Sequence, residues 1–134
     1  MVMFMKISTK GEYALICMTY LAKHYKEDKF ISIADIAKDN NLSLKYLEKI
    51  IGILKKGDLF ITERGNLGGY KLKRKPEEYT LYEIVKLAEG RVSSLKCVES
   101  GGCHKGKCVV FDIWNDMFKI ELDYLKNKTL RDYI

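Results

Sequence analysis

Three of the four cysteines fall within twelve residues, Cys97-Val98-Glu99-Ser100-Gly101-Gly102-Cys103-His104-Lys105-Gly106-Lys107-Cys108, spaced C-x5-C-x4-C with three glycines between them. Glycine lifts the steric bar to positive φ, so this segment can fold back and turn several side chains inward. Thiolates are soft donors that suit zinc, copper(I) and iron–sulfur clusters. Three of them leave one coordination position for a weaker or more distant ligand. The spacing is not the C-x2-C pairing of a zinc ribbon or a thioredoxin-like motif. Alone, the segment reads as a soft-metal or redox centre, and its purpose has to come from the elements around it.

The chain has 134 residues, 47% of them apolar, which is enough for one domain with a real core. Its start, Met1-Val2-Met3-Phe4-Met5-Lys6, lacks the basic and sustained apolar regions of a secretory signal. No apolar run approaches the roughly 18–20 residues that span a bilayer. A cytoplasmic protein with no membrane partner is the expectation, and clustered cysteines there indicate metal or redox chemistry rather than disulfides. Net charge is +6, with 15 Lys/Arg against 8 Asp/Glu in residues 1–75 and 9 against 10 in residues 76–134. A basic half joined to a neutral half suggests a polyanion-binding module plus a second function, or surplus lysine that only aids solubility.

Thr9-Lys10-Gly11-Glu12 reads as a capping box, Thr9 at the N-cap and Glu12 at N3. Ala14, Cys17, Met18, Leu21 and Tyr25 then recur at helical spacing, with Tyr13, Ile16 and Tyr20 as a second apolar line. Cys17 lies in the first stripe and reads as a small buried hydrophobe. Ser32 caps a short helix with Asp35 at N3, which Asp39-Asn40-Asn41 breaks. Ser43 then caps a longer helix with Leu44, Leu47, Ile50, Ile51 and Leu54 on one face and Gly57 as its stop. Short helix, polar turn, longer helix is the helix-turn-helix pattern. The N-terminal part of its second helix reaches base edges, which makes Ser43, Lys45, Tyr46, Glu48 and Lys49 the candidate contacts. Glu48 either accepts from a cytosine amino group or pairs with Lys45 or Lys49.

Leu59–Thr62 and Tyr70–Lys73 read as strands around the glycine-rich tip Glu63-Arg64-Gly65-Asn66-Leu67-Gly68-Gly69. Two strands after a reading helix make a winged helix. Arg64 on a narrow tip, followed by Gly65 and Asn66, suits a minor groove, where negative potential is strongest. The run Lys71, Lys73, Arg74, Lys75 adds charge that would neutralise phosphates. No phosphate-binding loop with a Lys-Ser/Thr pair, nucleophile elbow or acid/base pair stands out, so an enzyme is not expected.

Thr80-Leu81-Tyr82-Glu83 is another capping box, opening a helix that Gly90 ends. After the cysteines, a helix over 109–126 carries two apolar lines: Val110, Ile113, Met117, Ile120 and Tyr124, and Trp114, Phe118, Leu122 and Leu125. One line can pack on the chain itself; the other favours a partner helix, most simply in a two-fold dimer that matches paired DNA half-sites. The expected fold is mainly α with a small β-hairpin wing. Residues 1–75 form a winged helix-turn-helix region, and residues 76–134 a cysteine-loop sensor region with a long dimerisation helix, together one compact unit.

Met5-Lys6-Ile7-Ser8-Thr9-Lys10-Gly11-Glu12-Tyr13-Ala14, Leu42-Ser43-Leu44-Lys45-Tyr46-Leu47-Glu48, Arg64-Gly65-Asn66-Leu67-Gly68-Gly69-Tyr70 and the triple-cysteine loop, in that order, closely resemble the IscR/NsrR family of bacterial winged-helix regulators. The resemblance runs from Met5 to the end. It implies a homodimer on a pseudo-palindromic operator of double-stranded DNA, with Cys97, Cys103 and Cys108 holding an iron–sulfur cluster, 2Fe–2S or 4Fe–4S, that senses cluster status, nitric oxide or redox state. In the IscR-like pattern a histidine ligand follows the third cysteine by three residues, where this chain has Phe111. NsrR-like members take the fourth ligand from a carboxylate near the start of the first helix of the other subunit, a position that corresponds to Glu12. His104 is the local competitor, although its adjacency to Cys103 makes joint chelation awkward. Two alternatives use the same residues: a zinc or thiol-oxidation sensor on the same fold, and a metal- or cluster-binding adaptor that does not touch DNA.

Overall fold

The structure, a computed structural model, describes residues 7–65, 68–90 and 110–134. Cys97, Cys103, Cys108, His104 and the wing-tip Asn66 lie outside the described residues. The elements are α1 (Thr9–Lys23), α2 (Ile33–Asp39), α3 (Leu44–Leu54), β1 (Phe60–Glu63), β2 (Gly69–Leu72), α4 (Leu81–Glu89) and α5 (Phe111–Asn127). Short 3-10 turns at 25–27, 55–57, 76–78 and 130–133 connect or close them.

The first helix starts one residue before its sequence predicts, and by another device. Its N-cap is Ser8 rather than Thr9, and no local side chain caps it. The acceptor is Glu89, from the last turn of α4: its Oε1 takes the Ser8 N–H at 2.9 Å, the Ser8 hydroxyl at 2.7 Å and the Gly11 N–H at 3.1 Å. A carboxylate at a helix N-terminus meets both orphan donors and the positive end of the dipole. The Thr9–Glu12 capping box does not form because the helix is capped one residue earlier, which puts the Glu12 N–H on Ser8 O at 3.0 Å. Glu12 stays exposed.

Ala14, Cys17, Met18 and Leu21 of α1, Ile36 and Ala37 of α2, Leu47, Ile50, Ile51 and Leu54 of α3, and Ile84 and Ala88 of α4 share one core. Fully burying each of the larger aliphatic side chains contributes about 1.5–3 kcal/mol. Cys17 is wholly buried, as its place in the stripe predicts, and burial pushes its thiol up to about 12. Tyr25 leaves the predicted stripe because α1 ends at Lys23 and a 3-10 turn redirects the chain. Ser32 and Ser43 cap as expected, accepting from the Asp35 and Tyr46 amides at 3.1 and 3.3 Å. Leu44 is 44% exposed rather than facing the core, since it sits in the opening turn of α3, ahead of the buried face. The chain turns after α3 at Asp58 (φ 55); Gly57 instead leaves room for Leu87 of α4.

Strands β1 and β2 pair antiparallel from Phe60↔Leu72 to Glu63↔Gly69, one residue later at the start of β1 and one earlier in β2 than the sequence pattern predicts. The hairpin is anchored to the segment before α2 by Ile31 N–H to Tyr70 O (2.9 Å) and Tyr70 N–H to Ile31 O (2.8 Å). A Cβ on Gly69 would stand 2.2 Å from the Ile31 carbonyl oxygen, so this close approach needs glycine. Below the wing, Tyr79 is completely buried, accepting the Arg74 N–H at 2.9 Å and donating to Leu59 O at 2.7 Å.

Thr80 caps α4 by accepting from the Glu83 amide at 3.1 Å, and Gly90 (φ 78) ends it. Glu83 does not complete the box; it pairs with Arg74 at 2.7 Å. Helix α5 runs one residue past its predicted end and splits its two apolar lines as expected. Phe118, Leu122 and Leu125 pack with Val85, Leu81 and Leu15, whereas Val110, Ile113, Ile120 and Tyr124 are exposed, Ile120 by 72%.

Candidate nucleic-acid interface and sensor residues

The opening turn of α3 is held from α1. Tyr13 accepts the Ser43 N–H on its hydroxyl at 3.1 Å, and its ring meets Tyr46 edge-on, centroids 4.8 Å apart at 89°. Such an aromatic pair contributes about 0.5–1.5 kcal/mol beyond its buried area. Ser43 and Tyr46 are therefore fixed in place, and Lys45, Glu48 and Lys49 project from the same turns into solvent. The pairing of Glu48 with Lys45 or Lys49 does not form: the ion pairs of the described residues lie elsewhere. Two unneutralised lysines and one free carboxylate thus stand where a reading helix meets base edges and phosphates.

The wing offers Arg64, exposed at the end of β1, and Gly65 at positive φ (112°), with the Gly68 N–H closing the turn on Gly65 O at 3.1 Å. The basic run that follows is a different matter. Lys71 pairs with Asp28 at 3.0 Å, Lys73 with Asp58 at 2.7 Å, and Arg74 with Glu83 at 2.7 Å and with the Glu78 carbonyl at 3.0 Å. Three of the four cations read as phosphate partners are engaged within the chain. The sequence run does not show this because Asp28, Asp58 and Glu83 reach it only in the fold.

Of the predicted sensor residues, Glu12 is described. It lies in the first turn of α1, exposed, and its side chain takes part in none of the hydrogen bonds or ion pairs of the described residues; only its backbone N–H is engaged, with Ser8 O at 3.0 Å. Sequence reading missed two residues that matter here. Tyr13 looked like one more apolar position of α1. Glu89 carried a usable signal: an acidic residue in the last turn of a helix opposes the dipole, which marks it for work elsewhere.

A helix-turn-helix followed by a two-stranded wing, with unpaired cations on the reading helix and the tip, is the winged-helix class of DNA-binding domain. Residues 7–134 match the Rrf2 family, described as iron-dependent transcriptional regulators, and the chain belongs to that family. The transcriptional regulator IscR of Aliivibrio salmonicida is 34% identical over 114 residues, 84% of this chain and 67% of that protein. Among solved structures, CymR, the global cysteine regulator of B. subtilis, superposes with a TM-score of 0.83 at 33% identity, covering 96% of this chain and 95% of its own. T. potens IscR superposes at 0.78 and 34%, covering 96% and 85%. Among the described residues no helix is long and apolar enough to cross a membrane.

Proposed function

We propose that this transcriptional regulator acts in the cytoplasm as a homodimer, with affinity for a pseudo-palindromic DNA operator set by an iron–sulfur cluster. Cys97, Cys103 and Cys108 of one subunit would hold the cluster together with Glu12 of the partner subunit. The donor chemistry fits: three soft thiolates suit iron and sulfide, and a hard carboxylate completes a labile site. When bound, the cluster supplies iron that reacts with oxidants or nitric oxide. The observation that carries the reading is the freedom of Glu12. Glu89 caps α1 in its place, which leaves a solvent-facing carboxylate without a partner among the described residues.

In this reading Ser43, Lys45, Tyr46, Glu48 and Lys49 of α3 and Arg64, Gly65 and Asn66 of the wing contact DNA. Residues 1–75 form the DNA-binding region and residues 76–134 the sensor and dimerisation region. The exposed line Val110, Ile113, Ile120 and Tyr124 supports closure by a second copy, since such a line on a monomer has no apolar cover.

The test is anaerobic isolation with absorbance and EPR spectra, then titration of the duplex upstream of the chain's own gene with and without the cluster. Glu12→Ala should leave a cluster that bleaches faster. Equal DNA affinity of the two forms refutes the reading. A zinc or thiol-oxidation sensor is favoured by the close superposition on the cysteine regulator CymR. Zinc, or no metal at all, in place of iron with acid-labile sulfide would select it.

A further inference from the structure

We infer that Glu89 is the positioning residue through which the cysteine segment acts on the reading helix. The inference rests on the reading above and adds the route. Three observations meet at this side chain. Glu89 is the last residue of α4, followed by Gly90 at φ 78, so it stands in sequence at the root of the segment that carries Cys97, Cys103 and Cys108. Its Oε1 alone accepts three hydrogen bonds from Ser8 and Gly11, which ties that root to the first turn of α1. Two residues beyond Gly11, Tyr13 accepts the Ser43 amide and packs its ring against Tyr46.

One carboxylate therefore sets the position of the turn that bears both Glu12, the proposed ligand, and Tyr13, the prop of the reading helix. Charge-assisted bonds to backbone amides are roughly twice as strong as neutral ones, so the tie is firm where it forms. It is also easily displaced. A Cβ at Gly11 would come within 2.5 Å of Glu89 Oε1 and 2.8 Å of Ile7 Cγ2. Glycine there admits the carboxylate, and the nearer of the two atoms in the way, Glu89 Oε1, is the far end of a flexible side chain. Gly11→Ala expels Glu89 from the cap while leaving its charge in the protein. A segment that moves Glu89 moves Tyr13, and with it Ser43 and Tyr46. That supplies the differential interaction that linkage between two sites requires.

The experiment uses the whole chain, with Glu89→Ala and Gly11→Ala each compared with wild type in two measurements. In the first, DNA affinity is read with and without the cluster. Wild type should differ at least about fivefold between forms, the lower end of ordinary coupling, and both variants should fall to a ratio of about 1 while keeping the cluster absorbance. In the second, amide hydrogen exchange is followed on the cluster-free protein. Both variants should speed exchange at Ser8 and Gly11, which lose their acceptor, and also at Ser43, which donates to Tyr13 and has no hydrogen bond to Glu89 itself. Faster exchange confined to Ser8 and Gly11, with Ser43 unchanged, means a merely local cap and overturns the inference. So does retention of the wild-type ratio in either variant. If wild type itself shows no difference between the two forms, the cluster reading fails on its own, and the exchange at Ser43 still decides whether Glu89 props the reading helix.

Discussion

The fold separates two groups of cations that look alike in sequence, and DNA binding should tell them apart. Lys45 is exposed on α3 with no carboxylate partner among the described residues, whereas Lys73 is held 2.7 Å from Asp58. A lysine that neutralises a phosphate releases counterions, and each such contact contributes about 0.9 to the slope of log K against log salt on duplex DNA. With two copies of the chain on one operator, Lys45→Ala removes two contacts and lowers the slope by about 1.8. Counterion release then accounts for a loss of roughly 60-fold in affinity at 0.1 M salt, shrinking to nothing near 1 M.

The matched control is the pair Asp58→Asn with Lys73→Met, which removes a cation without changing the local net charge. Its slope should equal that of wild type. Fluorescence anisotropy of a labelled duplex from the region upstream of the gene, titrated from 0.05 to 0.4 M KCl (roughly the range over which phosphate contacts dominate), reads both slopes. If the paired substitution lowers the slope as much as Lys45→Ala, then the ion pairs open on binding and the division of cations argued from the structure is wrong. An unchanged slope for Lys45→Ala removes α3 from the phosphate contacts.

Three further outcomes follow from particular side chains. Tyr79→Phe takes the acceptor from the part-buried Arg74 amide and one of two donors from Leu59 O, which keeps the Lys73 N–H at 3.2 Å, and should destabilise the domain by about 0.5–1.5 kcal/mol in urea unfolding with an unchanged m-value. Burial raises the Cys17 thiol from 9.0 to about 12, so the unfolded chain gives up this proton first as pH rises. Stability is therefore full below pH 9 and falls by about 1.4 kcal/mol per pH unit from 9 towards 12, and the pH-dependent difference between wild type and Cys17→Ala should show that slope. Ile120→Asp, at a position 72% exposed, should leave the melting temperature of the monomer fold nearly unchanged while halving the mass seen in sedimentation equilibrium.

What the sequence shows of this molecule divides by the range of the interaction. Helix caps at Ser32, Ser43 and Thr80 are legible because donor and acceptor lie three residues apart, and each forms as the pattern predicts. The 2.0 and 3.6 periods place the wing within one residue and sort α5 into a packed and an open line, because alternate burial is a local consequence of backbone geometry. The α1 cap fails for the opposite reason. Thr9 and Glu12 have the spacing of a capping box, but a carboxylate 81 residues from Ser8 caps the helix one residue earlier, which leaves the Glu12 N–H on Ser8 O, and nothing local to α1 reveals it. The basic run 71–75 misleads in the same way, since its three carboxylate partners arrive from 9 to 43 residues away.

These two long-range substitutions bear on function in opposite directions. Neutralising Lys71, Lys73 and Arg74 within the fold removes them from the cationic surface beside the reading helix and the wing tip, where base contacts can select a sequence as well as bind phosphate. Replacing the local cap of α1 by Glu89 has the reverse effect: it opens a side chain, Glu12, that the sequence alone would assign to helix stability with equal right. A residue cannot serve its own helix start and a second subunit's metal at once. In the function proposed above, that conflict is resolved by a cap delegated to the helix that leads into the cysteines, and the Glu89 carboxylate that makes this cap bonds the turn that also bears Tyr13.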